Sequence, residues 1–348
     1  MSTPLLRSLM MYKMLSSFKS GRGLNRRGLI GGAAAVVGAA LLKPCCDQVH
    51  GADDLLGQDW RVPRGKVTSV FIRRGGRTLS EAVVGLDGWT IPPGAQVNLM
   101  LEDGEHPIGA MLSLRHPDGA RIGIIGNREQ PERCRIVSEG SHDLFYVGAN
   151  GILGYIDGVT IEHAAPARRG LGSAVIADEG GFIMTGERVR VIGFYYGFTA
   201  RRNGTIRAEG TSARDNGDAS YFAFNGGHLY VRRSKAMNAT DQDRNLGTGF
   251  VAEYGGTIDA EGAVSSYNHL AGFAAITNGT IRALRTIAHH NRYAGYLAIQ
   301  GGVIVADDAV GRDNCGLGTR SDELSRVFGS NLMIQNDLSD MIKCNLVP

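Results

Sequence analysis

The chain has 348 residues, enough for two average domains or one elongated one, with 50 glycines and 10 prolines. Glycine at about twice ordinary usage, without proline and without a triplet period, excludes collagen and a Pro-rich linker and suits a chain with very many turns. The formal charge of +3 is set by residues 1–52, which hold seven basic side chains (Arg7, Lys13, Lys19, Arg22, Arg26, Arg27, Lys43) and one acid, Asp47; without them 30 basic face 33 acidic residues, a net of −3, which excludes a nucleic-acid-binding reading of the basic chain.

At the N-terminus, "LNRRGLIGGAAAVVGAALLKP" sets Arg26-Arg27 directly before a 15-residue apolar run, Gly28 to Leu42. That run is short of the roughly 20 residues needed to span a bilayer. The layout resembles a bacterial twin-arginine export signal, with cleavage expected after Gly51, which makes residues 1–51 a signal peptide and 52–65 a linker. The resemblance implies transport of a folded protein to the periplasm or beyond, and contact with a membrane only through that signal. Cys45 and Cys46 leave with it. Cys134, Cys315 and Cys344 remain, too few and too scattered for a disulfide framework or a zinc site. A Cys315–Cys344 bridge and buried free thiols both stay open in an oxidising compartment.

Residues 66–173 have weak periodicity. "SEAVVGL" (Ser80 to Leu86) predicts a short helix with Ser80 as its cap, placed to cover the open core of a first coil. "AQVNLMLEDGEH", "ARIGIIGN" and "GILGYIDGVTIEH" predict short alternating strands ended by Gly, Asp or Asn.

Residues 174–316 repeat. Anchored on Gly181, Gly204, Gly227, Gly256, Gly279 and Gly302, the spacings are 23, 23, 29, 23 and 23 residues. Two residues after each glycine stands Ile183, Ile206, Leu229, Ile258, Ile281 or Ile304. Four before stands Ala177, Ala200, Ala223, Ala252, Ala275 or Ala298, and six before stands Val175, Phe198, Tyr221, Phe250, Phe273 or Tyr296. Apolar positions two apart within each copy mark strands, about three per repeat. The x-Gly pair reads as a bend where a positive φ costs little. Asn216, Asn268, Asn291 and Asn314, twelve residues after their glycines, read as a second left-handed bend and as a column able to chain its amides. A lone coil of this kind cannot bury its apolar face, whereas stacked coils can. The fold class is therefore all-β, a right-handed parallel β-helix of about 23 residues per coil, closed by residues 317–348.

"LEDGEHPIGAMLSLRHPDGARIGIIGN", followed by the aromatic–Ala–x-Gly coils, resembles the pectin-lyase-like β-helix superfamily, and more narrowly its phage-tail and adhesin-type members. The likeness implies the fold and leaves function open, because one fold hosts many sites. The clustered Asp–Asp and Gly-His-Gly motifs of polygalacturonase-like members are missing, as are phosphate-loop, dinucleotide, HExxH, CxxC and GxSxG motifs.

The 29-residue repeat carries its extra residues within "NATDQDRNLGT", Asn238 to Thr248, and insertions in a solenoid map to loops on one face. Asp241, Asp243 and Asn245 have the alternating oxygen spacing used for calcium, although Leu246 and Ala252 break the full EF-hand pattern, and the stretch reads equally as a solvated polar loop. Beside it the third strand of each coil sends out a column: Arg214-Asp215, Met237-Asn238, Ser266-Tyr267, His289-His290, Arg312-Asp313. His290 as base, Tyr267 as acid and Arg312 as carboxylate neutraliser could run β-elimination on a uronic-acid polymer, with His289, Asp313, Arg244 and Arg214 as substrate contacts. Solvated strand-end residues read the same way. The second strand's column (Arg207, Tyr230, Asp259, Arg282, with Glu209, Arg232 and Glu261) reads as a salt-bridged ladder. Three functions follow: an exported, non-catalytic β-helix binding polysaccharide or cell-envelope glycan; a polysaccharide lyase on an acidic glycan; or a phage-tail-derived fibre, which would assemble as a homotrimer.

Overall fold

Each repeat closes one coil of a solenoid. In the computed structural model, which describes residues 55–165, 172–239 and 247–335, three parallel sheets run the length of the stack. Sheet I has nine strands, from Leu112–Ser113 to Leu317–Ser321, and carries the aromatic–Ala segments. Sheet II has eleven, from Val67–Ile72 to Arg326–Phe328. Sheet III has ten, from Gly104–Ile108 to Met333–Gln335. The order within a coil is sheet I, sheet II, sheet III, and every pairing is to the coil before or after. Parallel crossovers of this kind wind right-handed. The fold is a right-handed parallel β-helix.

Register follows the sequence columns. Val175 pairs with Phe198, Phe198 with Tyr221, Tyr221 with Phe250, Phe250 with Phe273 and Phe273 with Tyr296. From Phe198 to Tyr296 the rings stack inside the coil at centroid separations of 5.2, 4.7, 4.8 and 5.3 Å. The 29-residue repeat keeps this register, Tyr221 pairing with Phe250 across it. The two tyrosine hydroxyls are not stranded in the core: Thr211 lies 3.0 Å from Tyr221 Oη and Thr286 2.9 Å from Tyr296 Oη. Burial pushes both phenols above their ordinary range, so they remain neutral donors.

The predicted helix spans Leu79–Gly85, but its cap is Thr78 rather than Ser80. Thr78 Oγ1 accepts from the Glu81 N–H at 3.2 Å, and the Glu81 carboxylate accepts from the Thr78 N–H at 2.8 Å, a reciprocal box that the T-x-x-E spacing spells out. Those bonds from Thr78 hold the Glu81 carboxyl below its ordinary value. Thr78→Ala is expected to cost about 1 kcal/mol in a urea titration, and a change under a few tenths would remove the cap's role.

Two bends differ from the sequence reading. None of the anchor glycines is left-handed; that conformation falls on the pairs before them, such as Thr277-Asn278 and Gln300-Gly301. The anchors are glycine because a Cβ on Gly204, Gly227, Gly256, Gly279 or Gly302 would overlap a backbone carbonyl of the preceding coil. At the bend from sheet III into sheet I, the left-handed residues are Asp215, Asn238, Tyr267, His290 and Asp313, one place before the asparagine column. The asparagines are buried instead, and their amides chain as expected: Asn268 Nδ2 donates to Asn291 Oδ1 at 2.8 Å, and Asn291 Nδ2 to Asn314 Oδ1 at 2.9 Å.

The three outer faces differ. Sheet I is buried on both: Ile176, Phe222, Val251, Ala274 and Leu297 stand in one outward column, and none is more than 8% exposed. Sheet II bears the expected ladder, Arg232 on Asp259 at 2.7 Å, Arg282 on Asp259 and on Glu261 at 3.2 Å, with Arg207 over the Tyr230 ring. Sheet III pairs the charges of its earlier coils, Arg135 with Glu105 and Glu162, Arg190 with Glu132 at 2.9 Å and Arg214 with Asp215 at 2.8 Å, whereas on its last coils the exposed Arg292 and Arg312 stand without a carboxylate partner among the described residues. Three further strands, Leu317–Ser321, Arg326–Phe328 and Met333–Gln335, add one more coil at the C-terminal end. Cys315 is disulfide-bonded, to a partner outside the described residues, whereas Cys134 is a free, buried thiol that burial pushes up to about 11. The expected signal peptide also lies outside the described residues, among which no helix is long and apolar enough to cross a membrane.

Candidate functional site

The buried amide ladder fixes the bend that follows sheet III. Along each of three successive coils the pattern is out, in, out: Tyr267, Asn268, His269; then His290, Asn291, Arg292; then Asp313, Asn314, Cys315. With every asparagine held inward by its neighbours, the flanking side chains project outward, one coil apart, at about 4.8 Å per coil.

This arrangement brings together most of the residues singled out in the sequence. Ser266, His289 and Arg312 are register partners on adjacent strands of sheet III. The Tyr267 ring lies against His290, 4.9 Å between centroids and 24° between planes, and meets His289 edge-on at 5.8 Å. Tyr267 is 54% exposed. Its φ of 57° is uncommon for so bulky a residue and costs about 1 kcal/mol, so the ring is presented on a strained but fixed backbone.

His289 Nδ1 and His290 Nδ1 are 2.8 Å apart, which requires one to donate and the other to accept. The pair therefore holds a proton between them with at least one ring neutral on that side. Burial, then the neighbouring His290 and Arg312, push His289 below its ordinary value, while Asp313 opposes them. Those effects favour the neutral form of His289. Arg312 has no carboxylate partner among the described residues and stays available to an anion.

Arg214 is not part of the cluster. Met237 and Ser266 stand between it and His289 in the sheet III column, which sets it about 14 Å away, and Asp215 holds it at 2.8 Å. Arg244 and the expected calcium ligands Asp241, Asp243 and Asn245 lie outside the described residues. Elsewhere in the described residues no group of three or more His, Cys, Asp or Glu is placed to hold a metal. Sequence reading missed Arg292, Tyr293, His269 and Arg320 at the same bend. Arg292 Nη1 reaches His269 Nε2 at 3.4 Å, and the Arg320 guanidinium lies 5.0 Å over the Tyr293 ring. The signal was present in "HHNRYA" and "YNHLA", where positively charged or aromatic residues stand on both sides of the ladder asparagine.

No family model and no curated protein matches the chain. Among solved structures it is similar to the A-module of the Azotobacter vinelandii mannuronan C-5 epimerase AlgE4, at 13% identity and a TM-score of 0.44, over 70% of this chain and 86% of that one. It is also similar to the catalytic domain of a GH87 alpha-1,3-glucanase in complex with nigerose, at 12% identity and a TM-score of 0.40, over 76% of this chain and 57% of that domain. At such values the chemistry of the bend is read from its own residues.

Proposed function

We propose that this protein is an exported, non-catalytic β-helix that binds acidic polysaccharide or cell-envelope glycan at the bend after sheet III. The observation that carries the reading is the Tyr267–His290 pair, an exposed aromatic surface on a rigid backbone, with Arg312 one coil further on. A pyranose ring has an apolar face that packs on an aromatic one, and a uronic-acid carboxylate accepts charge-assisted hydrogen bonds from a guanidinium. The sheet I face is buried and the sheet II face has its charges matched by its own ladder, which leaves this bend as the surface with chemistry to spare. Tyr267, His290 and Arg312 all stand exposed, a setting that favours reversible capture of a polymer over a dehydrated reaction site.

Isothermal titration with polygalacturonate fragments tests this. Tyr267→Ala is expected to weaken binding about tenfold, or about 1.4 kcal/mol, without lowering the urea midpoint. Unchanged affinity in that variant would remove the site. Repeating the titration with calcium and with a chelator tests the calcium expectation at Asp241, Asp243 and Asn245.

A second reading, a polysaccharide lyase with His290 as base, is favoured by the contact of His290 Nδ1 with His289 Nδ1, in which one of the two nitrogens must be unprotonated. A neutral imidazole can take the proton that elimination removes, and Arg312 can neutralise the adjoining carboxylate. Ultraviolet absorbance of an unsaturated product, lost in His290→Ala, would establish it. Binding without that absorbance supports the non-catalytic module.

A further inference from the structure

Sugar contact at Tyr267 and His290 alone would leave half of the bend unexplained. On the far side of the asparagine ladder lie His269, Arg292 and Tyr293, and beyond them Arg320, which sheet I sends outward in register with Leu297. Arg292, Arg312 and Arg320 have no carboxylate partner among the described residues, and Asp313 is the one acid on the three bends at 266–270, 289–294 and 312–317. The guanidinium of Arg320 is oriented by the Tyr293 ring, and that of Arg292 by His269. Such orientation lowers the entropy lost when an anion binds.

We infer that His269, Arg292, Tyr293 and Arg320 form a second rail beside the Tyr267–His290–Arg312 rail, and that the two together hold a polyanionic glycan lying along the solenoid axis with one anionic sugar per coil. The inference rests on the glycan-binding reading and adds the polymer's direction, its register and four residues. Its physical basis is the match of two repeats. Successive coils present equivalent bends about 4.8 Å apart, and a pyranose unit in an extended polymer advances by a comparable distance. A chain laid across the coils would meet one bend only, whereas a chain laid along them meets Tyr267 and His269, then His290 and Arg292, then Arg312.

The experiment uses the full chain and a ladder of galacturonate oligomers from the dimer upward. Affinity is expected to climb with each added sugar until the oligomer spans the three bends, then to level off. Arg292→Gln and Arg320→Gln are each expected to weaken the longest oligomer about three- to fivefold. Affinity independent of length, or long-oligomer binding unchanged in both arginine variants, overturns the second rail. If Tyr267→Ala still weakens binding in that case, the glycan-binding reading stands without it; if Tyr267→Ala has no effect either, both fall. Equal affinity for single-stranded DNA of matching charge also overturns the inference, since the strip would then read charge and not sugar.

Discussion

Gly279→Ala is expected to destabilise the solenoid by roughly 3 kcal/mol or more, although a methyl is the smallest side chain that can be added. The expectation depends on the stacking of coils and not on backbone freedom. Gly279 is outside the left-handed region, and its missing Cβ is where the carbonyl of Ala252 in the preceding coil passes. That carbonyl is backbone in a hydrogen-bonded stack and cannot yield as a flexible side chain would. Gly255 is the control. It is left-handed, with a φ of +73°, but has open space around its Cβ position, so Gly255→Ala should cost only about 1–2 kcal/mol from the conformation itself. Urea midpoints of the two variants separate the causes. A larger loss at Gly255 would show that the bend's dihedral angles matter more than the coil-to-coil approach.

Asn291→Ala is expected to cost about 3 kcal/mol, more than an ordinary buried hydrogen bond. Asn291 Oδ1 accepts from both the side chain and the backbone N–H of Asn268, at 2.8 and 3.2 Å, and its Nδ2 donates to Asn314 Oδ1 and to the Ser265 carbonyl, at 2.9 and 3.2 Å. Alanine would strand the Asn268 N–H in a region that water does not reach, at about 1–3 kcal/mol, and would remove the amide's bonds to the Asn268 and Asn314 side chains and to the Ser265 carbonyl. The same change should weaken glycan binding, because the ladder is what turns Tyr267 and His290 outward. The protein already contains one interruption of the column. Ala239 replaces asparagine there, its N–H still donates to Asn268 Oδ1 at 3.1 Å, and the ladder begins only after it. A loss under 1 kcal/mol, or full binding by the variant, would separate the site from the ladder.

The coil period and its three strands were legible because stacking places like residues on like, and six copies make each column visible. The same columns misassigned two bends by a single residue. A left-handed position and a close-approach position both select small or polar residues, and the sequence pattern does not say which constraint acts where. Thr78 was passed over for Ser80 although Glu81 stood three residues after it. The outward apolar column of sheet I was missed for a different reason. Segments such as "AGFAAI" and "TGFVAE" show few polar interruptions, the mark of a strand covered on both faces, but the inward aromatic and alanine columns repeat far more strictly than the outward one. Of the site, the Tyr267–His289–His290–Arg312 group was legible as a column on one strand. Arg292 and Arg320 were not, since they belong to the bend and to the neighbouring sheet and meet the column only when the coil turns.

The most direct test of the glycan-binding bend is the histidine side-chain NMR spectrum of the full chain, recorded as polygalacturonate fragments are added. Of nine histidines, three lie on the bend, while His106 and His116 are buried with ring nitrogens on the carbonyls of Glu102 and Trp89 and serve as internal controls. The resonances of His269, His289 and His290 are predicted to shift in a saturable way while those of His106 and His116 hold still. Saturable shifts confined to other histidines, or no shift at a concentration where binding is measured independently, would contradict the assignment of this bend as the glycan site.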